Sequence, residues 1–506
     1  MNTRRLILSG VLGLGLALAL LAVLRPAEQT ARAASASWFA QAGSSGACTQ
    51  NDPCDLKTAV TLAGSGDTVY VAQGTYTGTG PAVIAVTTGI TISGGWDGAP
   101  SGPVMCDPNT YHAVLDGENS RRAVYITGTI APVLDGLTLQ RGDATGLGGD
   151  PFGFDVGGAL YANGTTAWIT NCRILSSTAM FGGGAAFYYG NPTLGNSAVM
   201  TNTASSGGGG VFLYHSPAMI VGNQVVSNTA PGGGPYNGGG GLYADSSSAT
   251  VRGNTIRDNW AQLQGGGLFV YQSTLAIHHN TIQGNGVTQY GGGIFAITSA
   301  PDLQANIVLQ NRSTAAMGGG IQLLGCSPFT MTNNVVAQNS SPGIGPGLLV
   351  AGCMGCPTTH SRGNMWHNTF TDNNSPVSLF MIHIGESSGG GATVALTNTI
   401  ADKPGGVYVD TTGAATLDTT LWAPGVPTTT VAPGGSLVSQ GNVYGLPQLT
   451  GPTFHLGPGS AAVDQAKSAG ITTDMDGDER PIGPEPDIGA DEAQLWVFLP
   501  LAMRDS

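Results

Sequence analysis

The sequence predicts an all-β solenoid, a single-stranded parallel β-helix, from three observations. Runs of glycine followed by apolar and aromatic residues recur from residue 157 to 350: GGALYAN, GGGAAFYYG, GGGGVFLYH, GGGGLYAD, GGGLFVYQ, GGGIFAIT, GGGIQLLG and GPGLLVAG. Their last glycines, Gly158, Gly184, Gly210, Gly241, Gly267, Gly293, Gly320 and Gly347, are spaced 26, 26, 31, 26, 26, 27 and 27 residues apart, and an insertion, APGGGPYN, accounts for the one long interval. Half a period later comes a second marker of two asparagines separated by four residues, beginning at Asn223, Asn254, Asn280, Asn306 and Asn334. Between the markers lie short runs with period-two alternation and β-branched or aromatic residues, and no useful helix-period stretch. A fixed period in the twenties marks a unit that cannot bury its own apolar face, so neighbouring coils stack. Glycine and asparagine at fixed offsets supply the left-handed turns.

Composition agrees. Of 506 residues 81 are Gly, 9% are charged and 41% hydrophobic, too apolar for disorder and too glycine-rich for an ordinary packed domain. A solenoid grows in one dimension, so residues 60–450 at ~26 per coil give roughly 15 coils, a stack about 70 Å long in one elongated domain. The net charge is −13 and the pI near 4.8. An acidic chain without basic clusters excludes nucleic acid as a partner. Lys57, Lys403 and Lys467 are the only lysines, which also serves polyanionic substrates poorly.

In chain order, residues 1–36 read as a cleaved signal peptide: Arg4 and Arg5, an apolar run, then ARA or ASA cleavage sites. The paired arginines suit the twin-arginine route. The mature chain is therefore expected outside the cytoplasm, extracellular or on the cell surface, and not integral to the membrane. Residues 37–140 form the N-terminal cap and first coils, 141–450 the repeat body, 451–492 a closing segment and 493–506 a short apolar tail. DLKTAV reads as a short capping helix shielding the open edge of the first coil. Cys48 and Cys54 can close a small loop. Cys326 and Cys353 stand one local period apart, which places them on adjacent coils and predicts a disulfide. CMGC at residues 353–356 also has half of a zinc or redox spacing, without a partner motif to complete it. Cys106, Cys172 and Cys356 remain, so an odd thiol is left over.

GDTVYVAQGTYTG resembles the opening coil of the right-handed parallel β-helix superfamily that includes pectate lyases and many bacterial surface proteins. The glycine-aliphatic-aromatic repeats are similar to those of polymorphic outer-membrane adhesins. FHLGPGSAAVDQA (454–466) and TDMDGDERPIGPEPDIGADE (473–492) resemble the choice-of-anchor Q segment that ends exported β-helices. These resemblances imply a right-handed β-helix and export, and they carry no shared catalytic set. LWVFLPLAMRDS is too short to span a bilayer.

Candidate chemistry is sparse. Asp474, Asp476 and Asp478 alternate with a glycine in DMDGD, either a solvated acidic turn or an oxygen-rich calcium site. The insertion at residues 141–156 holds Asp143, Asp150 and Asp155, either a solvated loop or carboxylates for a cation or a hydrolase. β-Elimination wants a basic residue, yet no lysine lies between Lys57 and Lys403, and the column through Arg252 continues as His278 and Gln304. Glycoside hydrolysis wants two carboxyls ~5 to 9 Å apart, and Asp245 has Tyr214 and Tyr271 at the equivalent positions of its neighbouring coils. No catalytic constellation emerges.

After the last glycine of each coil, the first and third positions are mostly aliphatic, as in Leu268 and Val270, Ile294 and Ala296, and Ile321 and Leu323. They share a face expected to be the interior. The second positions, Phe212, Tyr243, Phe269 and Phe295, and the fourth, Tyr188, Tyr214 and Tyr271, then form outward aromatic columns. These make a self-stacked ladder or, if the faces are swapped, an aromatic interior, or else a sugar platform walled along one edge by the insertions at 141–156 and 230–237. The leading expectation is a secreted or cell-surface β-helix that binds glycan or mediates adhesion. A polysaccharide lyase or hydrolase, and a structural matrix component, are the alternatives.

Overall fold

The computed structural model describes residues 35–494 apart from 235–236, 327, 354–359, 387–389, 404 and 426–427. Residues 1–34 of the segment expected to be a signal peptide, the tail beyond residue 494 and Cys356 lie outside the described residues. No described helix is long and apolar enough to cross a membrane.

The chain from Ser37 onward is a parallel β-helix. Its coils contribute one strand each to three long sheets of 13, 15 and 14 strands, and six middle coils add a fourth, short sheet. One coil shows the order: Leu268–Tyr271 on the glycine sheet of 13, Ala276–His278 on the second, Thr281–Gln283 on the third and Gly286–Val287 on the fourth. Each strand pairs with its equivalent one coil on, as in Leu268↔Ile294 and Phe269↔Phe295. The expected cap is a helix, α1 (Leu56–Leu62), opened by Asp55, whose carboxylate accepts the Thr58 N–H at 3.1 Å.

The asparagine markers form two buried ladders. Asn285 Oδ1 accepts both the backbone N–H and the side-chain Nδ2 of Asn259 at 3.0 Å, while Asn285 Nδ2 donates to Ile256 O and to Asn311 Oδ1 at 2.9 Å. Every polar atom of the stack is thereby satisfied in the dry interior. The glycine triplets fit around this ladder. Gly265 sits at φ +58, and a Cβ on Gly267 would stand 3.0 Å from Asn285 Nδ2 and 2.6 Å from Gly293 O, so only glycine lets the corner close on the ladder.

The expected Cys326–Cys353 bridge is corrected. Cys326 is a buried free thiol, and Cys353 is held in a disulfide of its own. Cys326 belongs to a column of corner serines: Ser247 N donates to Ser273 Oγ, Ser273 N to Ser299 Oγ, and Cys326 N to Ser361 Oγ. The next coil therefore offers Ser361, 35 residues on, at that level, and the 27-residue spacing does not become a stack. Cys48–Cys54 is present. Cys106 and Cys172 are free, and burial pushes the Cys172 thiol up to about 12.

The C-terminal segment lies along the outer side of the third sheet. Phe454, Met475 and Ala490 pack on Ala305, Val335 and Ala337, and Leu456, Ala462 and Ile488 pack on Ile400 and Leu421. Arg480, fully buried, holds it in place by pairing with Glu492 at 3.2 Å and donating to Asp487 O at 2.6 Å. Beside it, the Asn398 amide is oriented by its bonds to Lys467 O and Lys467 N, so its Nδ2 donates to His367 Nε2 at 2.9 Å. His367 Nδ1 stands 2.8 Å from Arg480 Nη1, which can only donate, and 3.1 Å from Asp487 O, so the ring sits among donors that disfavour a second proton. Burial, then the nearby Arg480 charge, pushes its pKa down to about 3.

Candidate functional site: an aromatic groove on the glycine sheet

The glycine sheet has two unlike sides. Leu268, Val270, Ile294, Ala296, Ile321 and Leu323 point inward to the main core, as the alternation requires. Phe212, Tyr243, Phe269 and Phe295 point outward, yet they too are buried, in a second cluster with Val156, Tyr161, Ala186 and Tyr188. Tyr243 stacks on Phe269 at 4.6 Å and Phe269 on Phe295 at 5.6 Å, a continuous ladder. This ladder is a packing device over Phe269 and Phe295.

At one place it opens. A groove of about 550 Å³ is lined by Tyr188, Phe212, Tyr214, Tyr243, Tyr271, Asp150 and Asp245 among others. The cause lies in the residue before each glycine triplet, which walls the ladder. That column runs Val156, Phe181, Gly207, Gly238, Gln264, Tyr290 and Met317. Where it becomes glycine, at Gly207 and Gly238, the wall is missing. A Cβ on Gly207 would lie 2.6 Å from the Tyr243 ring. The signal was in the sequence as two runs of four glycines, 207–210 and 238–241, among runs of three.

Insertions rebuild the rim. Phe152 packs edge-on against Tyr214 at 6.4 Å and Phe154 against Phe181 at 5.7 Å, both from the 141–156 loop, and Asn237 comes from the second insertion. The loop is held by its own carboxylates. Asp150 accepts the N–H groups of Phe152 at 3.0 Å and Phe154 at 2.5 Å, and Asp155 those of Gly146 and Gly148 at 2.9 and 2.8 Å. Asp143 accepts the Thr145 N–H at 2.8 Å. Buried Arg122 anchors the loop from below, donating to Val156 O at 3.0 Å and to Gly148 O, with its guanidinium 5.3 Å over the Tyr161 ring. Of the three loop acids, Asp150 alone lines the groove, and Asp143 and Asp155 are turn formers.

Asp245 is the polar centre. Register places it between Tyr214 and Tyr271 on adjacent coils. It accepts from Ser246 Oγ at 2.8 Å and faces the Tyr243 hydroxyl at 3.4 Å. Burial raises its pKa, and burial likewise raises that of Tyr214. Sequence reasoning reached Tyr188, Phe212, Tyr214, Tyr243, Tyr271, Asp150 and Asp245. It missed Phe152, Phe154, Phe181 and Arg122.

The carboxylates of DMDGD, offered as a solvated turn or a calcium site, are used chiefly to turn the chain. Asp474 Oδ1 takes the N–H groups of Asp476, Gly477 and Asp478 at 2.9 to 3.0 Å, and its Oδ2 that of Glu492 at 3.0 Å. Asp478 accepts the Gln494 amide at 2.6 Å. Asp476 instead faces His455 at 3.5 Å, beside the 2.8 Å His455–Asp491 pair, and these three offer donor atoms within 4.8 Å of one another. A carboxylate spent on turning the chain and an imidazole in the cluster do not make the all-oxygen cage that calcium takes.

A family model described as the right handed beta helix region matches residues 152–421. No curated protein sequence matches the chain. Similar solved structures include the pectate lyase Pel9A, at 12% identity over 91% of this chain and 97% of that one, with a TM-score of 0.40. The catalytic unit of a GH87 alpha-1,3-glucanase from Streptomyces thermodiastaticus is 13% identical over 81% of this chain and 68% of its own, TM-score 0.36. A tailspike protein of E. coli bacteriophage HK620, solved with a pentasaccharide, is 10% identical over 81% and 80%, TM-score 0.31.

Proposed function

The chain belongs to the right-handed β-helix family, and from that premise we propose that it is an exported, surface or secreted protein that binds carbohydrate across the aromatic groove. One observation carries the reading: Tyr214 and Tyr271 flank Asp245 on three successive coils, with Phe152 over one end. Half-buried tyrosines offer flat faces to the C–H side of a sugar and hydroxyls to its edge, and a carboxylate between them accepts sugar O–H donors. Among the described lining residues there is no lysine or arginine, which favours neutral glycans over polyuronates.

Retention on a panel of insoluble neutral and uronate polysaccharides tests this. The parent is expected to bind a neutral polymer, and Asp245→Asn to weaken retention several-fold. Failure of the parent on every polymer refutes the reading. A hydrolytic role has its own observation, two carboxyl groups, Asp150 and Asp245, in one groove with Asp245 shifted by burial toward holding its proton. Release of reducing ends that stops in Asp245→Asn would put hydrolysis in place of binding.

A further inference from the structure

The two ends of the solenoid are finished differently. At the first coil, α1 lays Leu56, Ala59 and Val60 against the main core. At the other end the strands Thr429–Val431, Ser436–Gln440 and Val443–Tyr444 each finish one of the three long sheets. They pair on one side with Val407–Val409, Gly413–Asp418 and Leu421–Trp422, and on the other with no described strand. Register carries three core positions into this last coil: Val409↔Val431, Ala415↔Leu437 and Trp422↔Tyr444. One coil earlier Val409, Ala415 and Trp422 are buried in the main core, whereas Val431 is 39% and Tyr444 67% exposed and Leu437 is half-buried. The apolar core is therefore open at this end. The closing segment packs instead on the outer side of the third sheet.

Free strand edges beside exposed apolar side chains are a surface for pairing, and folded chains usually guard them with charge, proline or a bulge. None of these guards Ser436–Gln440, whose sequence is SLVSQ and whose register runs without a shift. From Thr419 to Phe454 the chain holds no charged residue and no histidine, although its net charge is −13. An acidic chain is repelled by its own copies, and an uncharged end is where two of them meet at least cost. Identical edge strands fit each other about a two-fold axis, which sets them antiparallel. We propose that two copies of the chain join by these ends, Ser436–Gln440 pairing with its own copy about Val438, so that Val431, Leu437 and Tyr444 of both copies close one continuous core. The proposal does not rest on the carbohydrate reading. The nearest strand of the aromatic groove, Leu268–Tyr271, lies six strand spacings from this end, so the groove stays open in each copy.

Sedimentation equilibrium of the chain from residue 37 onward, at micromolar concentration, is expected to give twice the chain mass. Val438 stands on the outer face, opposite Thr416, so Val438→Cys sets two thiols side by side across the axis, within disulfide reach. Mild oxidation should link these copies covalently, while the parent, with its exposed Cys106 as the control, stays unlinked. Val438→Lys, at a side chain 57% exposed, sets two ammonium groups against each other and should weaken the dimer about a hundredfold or more, with an unchanged circular dichroism spectrum. Trp168→Ala, which removes an exposed ring elsewhere on the second sheet, should leave the mass at two chains. A monomeric parent, a dimer that withstands Val438→Lys, or no link in Val438→Cys overturns the proposal. So does a chain that dimerises only after deletion of residues 495–506, which would make that segment the cover.

Discussion

The two sides of the glycine sheet obey different rules. On the inner side, Leu268, Val270, Ile294 and Ala296 repeat nearly unchanged from coil to coil, because each packs on its equivalents above and below within one aliphatic core that all three long sheets share. On the outer side the column changes from Tyr161 to Phe212, Phe295, Gln322, Leu349 and His383, and what covers it is supplied by loops of different length. Periodicity builds the scaffold, and departures from it build the clefts.

The largest expected effect tests whether the outer ladder is a true second core. Phe269→Ala should cost about 3 to 5 kcal/mol, comparable with Leu268→Ala on the inner side at about 2 to 5, measured by denaturant unfolding. A loss below about 1 kcal/mol for Phe269 alone would make the outer rings surface ornament. Asn285→Ala comes next. It strands the Asn259 N–H and removes one of two partners from Asn259 Nδ2 and a donor from the Ile256 carbonyl, so about 2 to 4 kcal/mol should go, and a near-neutral result would mean that water replaces the ladder.

The outer side of the third sheet provides a pH test. His367 is neutral when folded, with its pKa pushed down to about 3, against about 6.5 when unfolded. Between these values the unfolded chain binds the extra proton. Stability is therefore intact above about 6.5 and falls by up to ~1.4 kcal/mol per pH unit as pH drops toward 3. Replacing His367 with Gln should flatten that slope, and an unchanged slope would remove His367 as its source. The smallest effect concerns the groove itself. Tyr271→Ala, at a half-buried ring on the rim, should shift stability by about 1 kcal/mol or less, in contrast to Phe269 two residues away.

The same division decides what could be read from the residues alone. Gly265, Asn285 and Leu268 announce themselves because stacking forces identical choices at identical offsets, and the coil and its interior face follow from them, whereas the cap α1 was read from DLKTAV alone. Asp245 and its flanking tyrosines were legible for the same reason, since one column in register holds all three. Phe152, Phe154 and Arg122 were not, because an inserted loop has no period and its landing place depends on tertiary contacts. Cys326 shows the converse failure: a correct period of 27 residues was taken through an insertion that breaks the stack.

The central claim is that the opening in the outer ladder, and not the ladder itself, is where carbohydrate binds. The direct measurement combines calorimetric titration of the retained polysaccharide's oligomer with melting, on the parent and on the double variant Tyr214→Ala, Tyr271→Ala. The account predicts an affinity loss of about a hundredfold, near 2.7 kcal/mol, with a melting temperature close to the parent's. Unchanged affinity, or a loss that appears only together with a large drop in melting temperature, would contradict it.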